Sequence, residues 1–201
     1  VSADQSTIYI GVSDGINGYL LGLDSATLQR KFKVRLKDPS SGQDALIFDD
    51  ASSSPTVGPD GDVYYGVVEN PFPNHNDRGW LLHFTGDLAT SKTPGSFGWD
   101  DTVSVVPTAA VPSYSGSSPY LLMTKYNNYI GAGNGNGHNE IAIIDPDATQ
   151  KDRFSNATVM KEIMTRLNPT QVLVAGAGVV YEWCINSAVS DAAGHAVIAN
   201  A

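Results

Sequence analysis

The chain has a single cysteine, Cys184, in 201 residues. No intramolecular disulfide can form, and a zinc site built on thiolates is excluded. Charge is also sparse: 16% of residues are charged and 41% are hydrophobic. That balance is globular rather than disordered. Positive charge is the scarcer sign, with 12 Lys and Arg against 21 Asp and Glu, a formal net charge of −9. Nucleic-acid binding needs clustered cations to replace phosphate counterions, so it is not expected. Binding to an anionic membrane surface is disfavoured for the same reason. No run approaches the roughly 20 apolar residues of a membrane span, so no membrane insertion is expected. The chain opens on Val1 without an initiator Met and without a signal-peptide pattern. It reads as a processed or excised piece, so this gives no reason to place it in the cytoplasm.

What the chain does contain is turn residues and repetition. It has 20 Gly and 11 Pro, which predicts many turns and short elements. Three segment types recur in order. The first is led by Ser or Pro: Ser54-Pro55-Thr56-Val57, then Val106 to Val111, then Asn186 to Val189. Each runs through a turn into a second strand, at Val63 to Gly66, Tyr120 to Met123, and Val197 to Ala199. Ser2 to Gly11 is a further copy of this second strand and its turn. Asp60-Gly61 between two β-prone runs is a hairpin signal, because Gly supplies the positive φ of a tight turn. The third type is a strand that ends in a turn, at Gly18 to Asp24, Gly79 to Asp87 and Asn139 to Pro146. Leu20 to Leu81 spans 61 residues and Leu81 to Ile141 spans 60; Tyr9 to Tyr64 spans 55 and Tyr64 to Tyr120 spans 56. Lys31 to Leu36 alternates polar and apolar, as an outer strand does.

Units of four antiparallel strands repeated at a constant period predict an all-β fold, a β-propeller of about three four-stranded blades. The blade units fall at approximately 1–48, 49–99 and 100–181, with the start of a further blade at 182–201. A closed propeller needs at least four blades, so the chain is expected to form part of a larger one, as a single partial domain. A compact closure of three blades is the rival. Loop insertions lengthen the period at Glu69 to Arg78, at Gly131 to Asn139 and at 148–180. Inside the last, Val159, Ile163 and Leu167 recur at intervals of four before Asn168-Pro169, which predicts one short amphipathic helix over 157–167.

The Ser54-to-Tyr64 run and the tail Gly22-Leu23-Asp24-Ser25-Ala26-Thr27-Leu28-Gln29-Arg30-Lys31-Phe32 resemble β-propellers of the pyrroloquinoline-quinone-enzyme-like repeat superfamily. The family tail reads Ala-x-Asp-x-x-Thr-Gly-x-x-x-Trp. Asp24 and Thr27 match it, and Gly22, Leu28 and Phe32 stand where Ala, Gly and Trp would be. A second tail begins at Asp145, with its Thr displaced to Thr149. Trp99-Asp100-Asp101 and Glu182-Trp183-Cys184-Ile185-Asn186 resemble uncharacterised bacterial secreted propellers of this type. The resemblance implies an extracytoplasmic protein, periplasmic or secreted. It also implies a possible quinone and Ca²⁺ on the channel axis, often beneath a vicinal Cys pair. One cysteine makes that pair impossible, so pyrroloquinoline quinone is not expected.

Two acidic pairs stand in register: Asp49-Asp50 before Ser54-Pro55, and Asp100-Asp101 before Val106-Pro107, 51 residues apart. Glu182, next to Trp183, occupies the third equivalent place. In a propeller these positions lie near one mouth of the channel. Converging carboxylates there would bind a hard cation such as Ca²⁺, serve as acid and base, or cap turns through backbone amides. Trp99 and Trp183 adjoin the carboxylates, where an aromatic ring stacks on a sugar or an organic cation, or packs against the next blade. His75 and His138 lie in polar loops that would border a ligand site or face solvent. Trp80 heads an apolar strand and is expected in the core. Asp145 to Asp152 opens like a calcium loop but lacks its Gly and terminal Glu, so a hairpin loop is expected. No catalytic residue is assigned. The expected function is a non-catalytic binding or scaffold propeller whose partner is a small molecule, a carbohydrate or a protein. A quinone- and Ca²⁺-dependent dehydrogenase is the alternative.

Overall fold

The computed structural model describes residues 1–15, 17–47, 53–99 and 101–181, with two short strands beyond them. It is nearly all β. Three antiparallel sheets follow one another along the chain. Sheet I holds β1 (Thr7–Ser13), β2 (Gly18–Asp24) and β3 (Arg30–Arg35). Sheet II holds β4 (Thr56–Val57), β5 (Val63–Val67) and β6 (Trp80–Phe84). Sheet III is ordered β7 (Ser104–Pro107), β8 (Tyr120–Tyr126), β9 (Glu140–Lys151) and β10 (Thr158–Leu167). Two small hairpins follow, β11 (Val172–Val174) with β12 (Gly178–Val180), and β13 (Val189–Ser190) with β14 (Ala196–Val197). The sole helical element among the described residues is a 3₁₀ turn at Thr108–Ala110.

The sheets stack face to face, and alternation along each strand decides which core a residue enters. Val63, Tyr65 and Val67 of β5, with Trp80, Leu82 and Phe84 of β6, meet Tyr9 and Leu20 of sheet I. Tyr64 and Leu81, one residue out of phase, meet Tyr120, Leu122, Tyr126, Ala142 and Ile144 of sheet III. The far face of sheet III carries Val106, Leu121, Met123 and Ile143. Sheet II is therefore buried on both faces along all of β5 and β6. The strand β3, by contrast, exposes Lys31, Lys33 and Arg35 and turns Phe32 and Val34 inward. Charged side chains at a sheet edge discourage unwanted strand pairing.

The expected Asp-Gly hairpin joins β4 to β5. Gly61 takes φ +89°, and the Asp62 amide donates to Asp60 Oδ1 at 3.1 Å. Three longer hairpins share one six-residue closure: Asp24 N–H to Gln29 O at 2.8 Å, Thr85 N–H to Thr90 O at 3.0 Å, and Asp152 N–H to Ala157 O at 3.0 Å.

The structure corrects four expectations. The residues expected as a helix over 157–167 form β10. Intervals of four are even, so Val159, Ile163 and Leu167 satisfy a period of two as well as one of 3.6. Thr158, Val159, Ile163 and Thr165 are β-branched and favour a strand, and β9 supplies the partner. Asp145 does not begin a hairpin. It sits within β9, where the register jumps from Thr149↔Met160 to Asp145↔Lys161 and residues 146–148 bulge out. Asp145 Oδ1 receives the Asp147 and Ala148 amides at 2.9 and 3.1 Å and holds that bulge. The third tail turn begins at Asp152 instead, with Ser155 where the first has Thr27. The repeat landmark moves too. Gly11↔Leu20, Gly66↔Leu81 and Leu122↔Ile144 are register-equivalent pairs, so the third landmark is Ile144 rather than Ile141. Finally, four full strands occur in sheet III alone among the described sheets. In sheet II the outer strand is reduced to bridges at Ser91 and Gly95. Pro94 has no N–H to extend that ladder, and its carbonyl accepts the Met160 amide at 2.8 Å instead.

Candidate functional site

The loop between β5 and β6 gathers the buried polar groups. Glu69 is buried, and its carboxylate receives the amides of His75 at 3.2 Å, Asp77 at 2.8 Å and Gly79 at 2.7 Å. Asn76, Asp77 and Gly79 all take positive φ, a conformation these three residue types accept more readily than most. A Cβ on Gly79 would lie 2.1 Å from Val67 O, so glycine is required where the loop rejoins the sheet. Asp38, at the end of sheet I, receives the amides of Ser40, Ser41 and Asn70 and the indole N–H of Trp80 at 2.9 Å.

His75 is buried and lies flat on Trp80, with ring centroids 3.8 Å apart and planes 8° apart. Its Nδ1 is 2.9 Å from Gly79 O, and its Nε2 is 3.0 Å from Asp152 Oδ2, 77 residues away. Asp152 also receives the Ser96 hydroxyl at 2.5 Å and the Phe154 amide at 3.0 Å. Burial pushes its carboxyl up, but the interaction with His75 and hydrogen bonds from Ser96 and Ser155 outweigh burial. Together they hold it well below the ordinary carboxylate range. Beside the pair, the buried Arg78 guanidinium lies between the rings of Tyr126 at 4.3 Å and Phe154 at 4.4 Å. A recess of about 40 Å³ next to His75 has room for roughly one water.

A second His–Asp pair forms at the outer end of β6. His83 Nε2 is 2.8 Å from Asp62 Oδ2, which also holds Lys92. The His83 ring stacks on Tyr64 at 4.4 Å. Burial lowers its pKa despite the partner carboxylate.

The structure places the sequence candidates as follows. His75 belongs to the buried network above. Trp99 is half-buried and gives its indole N–H to Asp77 Oδ1 at 2.9 Å, which pins the same loop. Asp101 is buried, and its Oδ2 receives the Thr124 hydroxyl and the Lys125 amide, both at 3.2 Å. His138 is exposed, with its ring edge-on to Tyr181 at 5.2 Å. Asp49, Asp50, Asp100, Glu182 and Trp183 lie outside the described residues. Trp99, between β6 and β7, thus contacts the loop that holds His75, while Asp101, in the same segment, bonds to β8 and His138 lies in the loop before β9. Trp80 is fully buried, as expected.

Sequence reasoning missed Glu69, Asp38, Asp152 and Arg78. The available signal was a charged residue at each end of a polar insertion, at Glu69 and Arg78. Nothing local ties Asp152 to His75. Among the described residues, no group of three or more His, Cys, Asp or Glu is placed to hold a metal ion. None of the helices described is long and apolar enough to cross a membrane. No protein-family model matches the chain, and no curated protein matches it.

Proposed function

We propose that the chain is a non-catalytic, extracytoplasmic binding or scaffold module, built as consecutive blades of a β-propeller. The observation that carries this reading is the stacking of three sheets in chain order, with the central sheet buried on both faces. Blades of a propeller pack on their neighbours in that manner. The entry segments of sheets II and III are also tied together. Ser54 N–H donates to Thr102 Oγ1 at 2.8 Å, and Thr56 Oγ1 donates to Val103 O at 2.8 Å. The two buried His–Asp pairs support the non-catalytic part. Both ring nitrogens of His75 are spent on fastening the loop to sheet III, His83 is tied to Asp62 within sheet II, and the recess beside His75 is too small for an organic substrate. The extracytoplasmic setting rests on the family resemblance alone.

Spectroscopic titration of the protein with pyrroloquinoline quinone and Ca²⁺ tests this reading against a quinone-dependent dehydrogenase. The binding-module reading expects no saturable complex. A saturable, Ca²⁺-dependent complex that oxidises an alcohol with a dye acceptor overturns it.

A further inference from the structure

Five of the twelve cations fall between Arg30 and Lys37. Lys31 and Lys33 serve sheet I itself. Lys31 donates to Thr7 Oγ1 at 2.9 Å, and Lys33 lies 3.6 Å over the Tyr19 ring. Arg35 and Lys37 instead reach the outer seam between sheets I and II, where Lys92 approaches from the other side. Between them is a groove of about 150 Å³. Leu82 and Phe84 of β6 form its floor, and Pro39 and Pro94 stand in its two walls. A cavity of roughly this volume holds a benzene-sized molecule.

The walls are cationic and accessible, with side-chain exposures of 46% for Arg35, 49% for Lys37 and 41% for Lys92. Two carboxylates serve these three cations. Asp44 takes Arg35 through two hydrogen bonds, at 2.6 and 2.5 Å, and Lys37 at 2.5 Å. Asp62 takes Lys92. Asp60 and Asp147 also act on Lys92, and Asp14 on Arg35, so the groove's positive character lies in its exposed cationic head groups and not in a net excess of charge. An ammonium has three donors, and one carboxylate contact leaves the others for a ligand. Edge protection explains cations along β3. It does not explain cations from two sheets converging over an apolar floor.

We propose that this groove binds a small organic anion, with a ring-sized apolar body on Leu82 and Phe84 and its carboxylate or phosphate between Lys37 and Lys92. The proposal deepens the binding-module reading and rests on it. Apolar contact and desolvation hold the body, and the charge orients it.

Isothermal titration at low salt with benzoate, phenyl phosphate and benzyl alcohol tests the site. Saturable binding of at least one anion is expected, in the millimolar range. Benzyl alcohol should bind at least tenfold more weakly, and the combined K37Q and K92Q variant should lose at least tenfold in anion affinity. The tighter of the two anions identifies the headgroup. Ser91 is exposed on the groove wall, so S91W should fill the groove and abolish binding even if the lysine variant misfolds. The site is overturned if neither anion saturates, if benzyl alcohol binds equally well, or if S91W binds like the parent. None of those results produces a quinone complex, so failure of the groove and failure of the binding-module reading remain distinguishable.

Discussion

The turns at 24–29 and 152–157 share one closure and begin with the same residue, yet they do different work. Asp24 folds its carboxylate onto its own turn, receiving the Ala26 and Thr27 amides at 3.1 and 2.9 Å and the Thr27 hydroxyl at 2.9 Å. It faces solvent. Asp152 keeps the equivalent amide bond to Phe154 and adds His75 and Ser96 from the neighbouring sheet's loop and edge. The residue two places on is Ala26 in the first turn and Phe154 in the third, and Phe154 packs beneath Arg78. A short Asx turn specifies a hairpin by itself. What surrounds it decides whether it also fastens one sheet to another.

Four experiments sharpen that contrast. The largest effect is expected from Asp152→Ala, which strands His75 and Ser96 in a buried site. Urea unfolding should show a loss of about 3 kcal/mol or more. Asp24→Ala should leave the unfolding midpoint nearly unchanged, and equal effects from the two variants would erase the distinction. Next is Phe154→Ala, which gives the third turn the residue of the first and uncovers one face of Arg78. A loss of about 2 kcal/mol in the same assay is expected.

The third experiment is an acid titration of stability. Burial depresses the His83 pKa in the folded state, so the unfolded chain takes up the proton first. That contribution is complete above the ordinary histidine value and is lost as pH falls below about 6.5, with a slope of at most about 1.4 kcal/mol per pH unit. Asp152 is also depressed, so its contribution persists through that range and is lost only as pH falls below about 4. His83→Gln should flatten the upper window alone, and Asp152→Asn the lower one. A single unresolved transition in both variants would remove the separation. Apart from the Asp24→Ala reference, the smallest effect is expected from Tyr64→Phe, a control away from the turns. It breaks the 2.6 Å contact between the Tyr64 and Tyr120 hydroxyls and should cost about 1 kcal/mol by thermal melting.

Much of the strand order was legible in the sequence, because its signals are local. The Asp60-Gly61 turn, the alternation of β3 and the apolar run behind Trp80 each carry their own physics. The errors came where one pattern admitted two readings. Intervals of four fit a helix and a strand alike at Val159, Ile163 and Leu167, and pairing with β9 decided the matter. Asp145 resembled the head of a tail turn, but the bulge at 146–148 absorbed it, and the turn begins seven residues later at Asp152. The buried network was not legible. His75 and Asp152 meet across 77 residues, and sequence shows a polar loop where the fold makes a strut. The groove was hidden for a related reason: Lys37 and Lys92 entered the charge count without any sign that two sheets bring them together.

Because β5 and β6 send alternate residues into two different cores, neither strand has a face on which polarity is free to vary. In a saturation-mutagenesis survey, their tolerance to substitution should be uniformly low and show no periodicity. Along β3, tolerance should rise and fall every second residue. The middle of the stack would then be the stretch where sequence drifts least, and the outer strand the place where surface chemistry is rewritten without disturbing the fold.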